Sequence, residues 1–362
     1  SNSIFACLIY YYVNKNTSVF GSVMLILGST IGAGLASGQE VVIFFAQYGF
    51  VSILYAFLFF ILFAYGLIEI LKYGQMLQKK PDFLQKHKTS FVFESICAII
   101  FLIFSATMLA GAESLLNDIV YNSKFHLWSI LIILLSLLIM SNDLKWLITI
   151  NKILVPIIIL STILVCSFSF TASPHSDFTF SFDISNLAFL TISTILYAAC
   201  NLMVNSKIAV NLGTKIKEKN IKKVAIITSF IIFLIIVLII IALLINDNSL
   251  PFAEMPIVYI AFLIHPTVGY IYSFIILLCI LTTLFATFYS FKESVHLKVK
   301  SNLLSLIFSA ILVFVLSLFG FESIIRYSYP IIGAVGIIVL FTIKNRMSCS
   351  DCECSCGIKF LK

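Results

Sequence analysis

The chain has 362 residues, 61% of them apolar and 11% charged, with 35 Phe, a net charge of +7 and a mean hydropathy of +1.10. Soluble domains run near roughly 45–50% apolar and about 25% charged, and 16 acidic plus 23 basic side chains are too few to cover the wet surface of a globular protein this long. Lipid is therefore the expected solvent, and the basic residues, set in short clusters between apolar runs, read as topology signals and not as a nucleic-acid surface.

Runs such as Trp128–Met140, Ile153–Phe170, Val224–Ile245 and Leu303–Phe319 carry almost no charge, and most approach the roughly 17–25 residues that span hydrocarbon as a helix. They are apolar on every face, whereas a barrel strand alternates. The sequence predicts an all-α, polytopic membrane protein of about ten transmembrane helices. In chain order the segments fall near 18–46, 50–77, 91–119, 127–142, 144–170, 185–211, 221–246, 266–291, 302–319 and 322–343. Residues 1–16 stay unassigned, 17–343 form the transmembrane domain, divided at about 17–170 and 185–343, and 344–362 form a Cys-rich tail expected to be disordered or non-native.

With both termini placed in the cytoplasm, all but Lys124 and Arg326 of the 23 basic residues lie at inner loops or inner ends. The positive-inside rule selects this orientation, in a plasma or inner membrane. An outer stretch at 247–264, with Pro251 and Pro256, is expected to hold a short amphipathic helix. Of the nine Cys, Cys7, Cys97, Cys166, Cys200 and Cys279 sit in apolar runs, and no disulfide framework is implied. The tail from Cys349 to Cys356 lacks the two C-x-x-C pairs of zinc sites, having only Cys349 and Cys352 at that spacing.

The first segment carries Gly28, Ser29, Thr30, Ile31, Gly32, Ala33, Gly34, Leu35, Ala36, Ser37, Gly38, Gln39 and Glu40 at membrane depth. Small residues four apart suit close helix packing. Glycine also weakens a helix, and a broken helix in a membrane must meet protein or a wet cavity, which marks a transporter site. The amides of Ala33 to Ala36 would then face a substrate carboxylate. The sixth segment reads Leu196, Tyr197, Ala198, Ala199, Cys200, Asn201, Leu202. Asn201 makes either an interhelical hydrogen bond or, with Tyr197, a second break facing the first.

In the eighth segment, Cys279, Thr282 and Thr283 lie near mid-helix. The hydroxyls bond their own i−4 carbonyls, or they join the Gly28, Ile31 and Cys279 carbonyls around a sodium ion. Of the intramembrane carboxylates, Glu69 is expected at the inner interface. Glu40 lies roughly 9 Å outward from Gly34 at helical rise, and Glu113 in the outer half of the third segment. Arg326 enters from the outer end of the tenth, so an outer gate pairing Arg326 with Glu40 or Glu113 stands beside a plain structural pair.

The stretches Gly32 to Glu40, Met108 to Gly111, Asn151 to Pro156, Leu196 to Leu202 and Glu254 to Pro256 resemble, in this order, the YkvI-type uncharacterised membrane proteins. That family is similar to the LeuT-type, amino acid-polyamine-organocation superfamily. The resemblance covers most of 17–343 and implies a five-plus-five inverted repeat with the first and sixth helices unwound at the substrate site. It places Gly28, Ile31, Cys279, Thr282 and Thr283 at a shared sodium site, and Ser29, Gly32, Ala33, Gly34, Leu35, Tyr197, Ala198, Cys200 and Asn201 at the substrate. A second sodium site would need polar side chains near Leu35 and Ala198, which this chain lacks. In some sodium-independent relatives a lysine of the fifth helix replaces the ion, as Lys152 would here; the alternative is a lysine snorkelling to the inner interface.

These features point to a secondary active transporter of an amino acid or similar zwitterion, coupled to sodium or protons by alternating access. The alternative is a transporter-shaped sensor that binds without moving its ligand. No cofactor beyond sodium is implied, the expected partners are a small solute and the bilayer, and the oligomeric state is left open. Neither H-E-x-x-H nor G-x-S-x-G occurs, so an enzyme is not expected.

Overall fold

A computed structural model of the chain describes residues 18–79, 89–120, 126–139, 145–172, 187–246 and 254–356, and among these every regular element is a helix. The order is α1 (Val19–Thr30), α2 (Ala33–Ala36), α3 (Gln39–Phe44), a 3₁₀ turn (Ala46–Val51), α4 (Ser52–Lys79), α5 (Thr89–Ile119), α6 (Leu127–Ile139) and α7 (Lys145–Ala172). There follow α8 (Leu187–Gly213), α9 (Glu218–Ile245), α10 (Pro256–Ile264), α11 (Pro266–Val299), α12 (Asn302–Ser317) and α13 (Phe321–Cys356).

Seven helical stretches, within α4, α5, α7, α8, α9, α11 and α13, are long and apolar enough to cross a membrane, and α1, α6 and α12 are shorter apolar helices. Their order follows the ten segments read from the sequence, with α1 to α3 standing in series for the first. The protein is a multi-pass membrane protein. Leu54, Phe57, Ile61 and Tyr65 recur every three or four residues along α4 and are all exposed, a stripe that suits lipid contact.

The bundle is built around α8, which lies along α4 and α13 and also meets α1 and α3. A side chain at Gly333 would overlap the Leu196 carbonyl, and one at Gly336 would come within 2.7 Å of the Ala199 oxygen. The backbones of α13 and α8 therefore touch, in the small-residue packing that membrane helices use. That contact fixes Tyr329 of α13 beside Tyr197 of α8.

Three expectations are corrected. The sixth helix is not unwound: α8 runs unbroken from Leu187 to Gly213. It contains no glycine before Gly213, and both Asn201 and Asn205 give an amide hydrogen to its own backbone. The Asn201 amide donates to the Tyr197 carbonyl at 3.0 Å and the Asn205 amide to the Asn201 carbonyl at 2.8 Å.

The short helix of the outer stretch is present as α10 but is apolar, with Pro256, Ile257, Val258, Ile260 and Ala261 buried. It roofs the bundle, and its Ile257 amide donates to the Ser37 carbonyl at 2.9 Å. Residues 247–253 lie outside the described residues.

The tail is helical as far as Cys356, because neither Gly nor Pro interrupts the chain between Gly336 and Gly357. Residues 357–362, like 1–17, lie outside the described residues.

Candidate functional site

The glycine-rich first segment is broken twice. Ser18 caps α1, accepting from the Gly21 amide at 3.1 Å, and α1 ends when Ile31 leaves the helical region with ψ 78°. The Gly32 amide turns back to the Thr30 carbonyl at 3.0 Å. After the single turn of α2, the chain reverses at Ser37 and Gly38, where Gly38 has φ +85°, a conformation that favours glycine. The first break falls where the sequence indicated one, and the second lies beyond it. The Ala36 amide is not free for a ligand, since it donates to the Gly32 carbonyl at 3.1 Å.

The second break redirects Glu40. Continuous helical rise would carry this residue outward, but the reversal at Gly38 folds its side chain back over Gly34. A Cβ added to Gly34 would overlap the carboxyl group, with Cδ 2.7 Å away. Glu40 is 6% exposed. The Tyr197 hydroxyl donates to its Oε2 at 2.7 Å, and Tyr329, also fully buried, brings its hydroxyl up to the same carboxyl group. No hydrogen bond closes on the Tyr329 oxygen, and Gln39 Oε1 on the same short helix is likewise buried and unbonded. Cys200 is a further neighbour of the carboxylate. Phe44, Phe45 and Phe59 pack on the Tyr197 ring at centroid distances of 4.8, 5.5 and 5.3 Å. The carboxyl group thus has a phenol donor whose ring is itself held in place by three phenylalanines.

On the N-terminal side of the first break, Ser29 and Thr30 are tied to α8 by Asn205, a residue the sequence reading did not single out. Ser29 donates to Asn205 Oδ1, and Asn205 Nδ2 donates to Thr30 Oγ1 at 3.0 Å. An Asn four residues after Asn201 on one helical face is the signal that could have revealed it. Asn201, expected at the substrate, keeps its amide on its own helix. Leu35 and Ala198 are buried, and Gly32 borders open space, with no atom within 4 Å of where a side chain would begin.

The positions assigned to sodium are partly brought together. Cys279 Sγ lies 4.0 Å from the Ile31 carbonyl oxygen, and Thr282 Oγ1 donates to the Cys279 carbonyl at 3.0 Å. The Thr283 side chain adjoins the Cys279 thiol. Gly28, one turn before Ile31, faces Val155 of α7, whose Cγ2 would stand 2.9 Å from an added Cβ. The side chain of Lys152, one turn before Val155 on α7, lies outside the described residues.

The three gate residues are not brought together. Arg326 pairs with Glu322 one turn away, both substantially exposed. Glu113 accepts from Ser129 and meets His126 Nδ1 at 3.0 Å. Glu40 faces the interior. Arg326 and Glu113 are satisfied by partners one turn away or across one short loop, whereas Glu40 is held by the distant Tyr197. A half-open groove of about 430 Å³ between α5, α12 and α13, lined by Ile103, Ala106, Phe319, Ile324 and Tyr327, includes none of the predicted site residues.

A bundle of apolar helices wrapped around a broken first span has the LeuT-type fold. The solved structure of MhsT in complex with L-phenylalanine superposes with a TM-score of 0.67 over 90% of this chain and 88% of that one, at 15% identity. In sequence, the chain is similar to the uncharacterized membrane protein YkvI of Bacillus subtilis (strain 168), 26% identical over 329 residues that cover 86% of this chain and 91% of YkvI. It is also similar to the uncharacterized protein YyaD of the same organism, 27% identical over 330 residues, 88% of this chain and 93% of YyaD. These relatives bear out the resemblance carried by the motifs. No family model matches the chain.

Proposed function

We propose that the protein is a secondary active transporter of a small solute, an amino acid or similar zwitterion, working by alternating access with sodium or proton coupling. The observation that carries this reading is the twice-broken first span, set against the intact α8 with open space at Gly32. Breaks of this kind at membrane depth are tolerated where they line a cavity, and they expose peptide dipoles to a guest. MhsT, similar in fold, was solved with L-phenylalanine.

For sodium, the Ile31 and Cys279 carbonyls with the Thr282 and Thr283 hydroxyls supply the oxygen-only environment that a hard cation prefers. A thermal-shift screen of the purified protein against amino acids, nucleobases and amines, with and without sodium, tests both parts. Stabilisation by an amino acid is expected. Stabilisation by sodium should vanish in the Thr282→Val/Thr283→Val double variant; if it survives there, the ion does not bind α11. A screen in which nucleobases or simple amines stabilise and no amino acid does would overturn the substrate class.

A further inference from the structure

We propose that Glu40 is the residue that takes up and releases the coupling proton, with Tyr197 and Tyr329 as its two hydrogen-bond partners. The proposal rests on the transporter reading above and selects the ion for it.

A carboxylate held at membrane depth is costly unless a cation or a proton neutralises it. The described ion pairs join Glu69 to Lys72, Glu113 to His126, Glu293 to Lys292 and Glu322 to Arg326, and none of them includes Glu40. The titratable groups that face it are Tyr197 and Cys200 from α8 and Tyr329 from α13, all weak acids and none a cation. Among the described residues, α9, which also packs on α3, sends no charged group to it.

The carboxyl group is closed in by Gly34 and Tyr197, and Glu40 is 6% exposed, which leaves little room for an organic cation beside it in this state. A proton needs no room. It also resolves the loose end at Tyr329. A carboxylic acid is a donor as well as an acceptor, and the unbonded Tyr329 oxygen lies where that donation can land. The neighbouring Thr107 hydroxyl gives its own proton to the Ile103 carbonyl at 2.8 Å.

Protonated Glu40 then bridges α8 to α13, accepting from Tyr197 and donating to Tyr329, while its own backbone belongs to α3, the short helix that follows the second break. Loss of the proton ends donation by Glu40, so the Tyr329 hydroxyl must turn to donate to the carboxylate, and it leaves a lone charge that favours opening to water. The transfer is a simple acid–base exchange with solvent: the carboxyl O–H bond breaks on release and reforms on uptake, with no change of oxidation state.

Infrared difference spectroscopy of the purified full-length protein across its range of pH stability provides the test, and it needs no substrate. The expected result is a carboxylic acid C=O band that disappears as pH rises and is missing from Glu40→Gln. Tyr329→Phe should keep the band but move it to the higher frequency of an acid with one fewer hydrogen bond. Identical titrating bands in the wild type and Glu40→Gln would overturn the proposal and pass the role to another group, Lys152 included. A Glu40 band that never titrates would make the residue a fixed structural acid, and would overturn it equally. Either result leaves the transporter reading standing. Absence of solute binding and flux alongside a titrating Glu40 would instead refute the transporter reading.

Discussion

The hydroxyl of Tyr197 and the carboxylate of Glu40, 157 residues apart in sequence, form a 2.7 Å hydrogen bond inside the bundle. It joins the broken span to the intact one. Hydrogen bonds to charged groups contribute about 1.5–3 kcal/mol and neutral ones about 1 kcal/mol. Tyr197→Phe should therefore lower the unfolding temperature in detergent, and Glu40→Gln combined with it should cost less than the two changes added. Strict additivity in that cycle would show that the two side chains do not interact.

Asn205 and Asn201 sit one turn apart on α8 and are predicted to behave differently. Asn205 bonds Ser29 and Thr30 across to α1, whereas the Asn201 amide serves its own helix. Interhelical hydrogen bonds in membranes are worth roughly 0.6 kcal/mol on average and up to about 2 kcal/mol. Asn205→Leu removes both links from α8 to α1, although Ser29 and Thr30 keep carbonyl acceptors on their own helix, so it should destabilise the purified protein more than Asn201→Leu. Equal losses in a thermal melt would deny Asn205 its bridging role.

The glycines of the first segment should separate by position. Gly34→Ala drives a methyl group into the Glu40 carboxyl and must displace it, so a clear drop in melting temperature is expected. Gly32→Ala meets nothing within 4 Å. Its melting temperature should stay near that of the parent while affinity for the solute falls, because the methyl enters the guest's space. A stable Gly34→Ala protein would mean that Glu40 does not need the glycine.

Glu254, two residues before α10, supplies a pH dependence. Burial raises its carboxyl above the usual range; a hydrogen bond from Ser114 offsets part of this, and the nearby Asp118, Glu322 and Glu113 carboxylates add to it. The folded protein thus keeps a proton that the unfolded chain has released. Stability should be full below the ordinary carboxylate range of about 4 and fall as pH rises through the raised folded value, then level off. Glu254→Gln should raise the melting temperature at neutral pH and leave it unchanged in acid. A wild-type melting curve that rises across that window, with Glu254→Gln following it, would reverse the sign.

Much of the architecture was legible because the bilayer constrains it so tightly. Uniformly apolar runs of helical length allow few alternatives, and the four glycines between Gly28 and Gly38 announced a break in the first segment. The intact α8 was less legible, since Asn201 looks like part of a break until its i−4 acceptor, the Tyr197 carbonyl, is seen. Glu40 was misplaced for a geometric reason: helical rise was applied across Gly38, whose left-handed conformation turns the chain back. Arg326 had an i−4 partner in Glu322 written in the sequence, and a local pair needs no distant one.

The idea at the centre is that the broken span moves a solute. Uptake of labelled amino acids into proteoliposomes, under an inward proton gradient and separately under an inward sodium gradient, tests it directly with the parent protein and Gly32→Phe. Concentrative uptake of at least one amino acid, driven by a gradient and abolished by Gly32→Phe, is predicted. Saturable binding of an amino acid with no accumulation under either gradient would contradict transport and leave a sensor in its place.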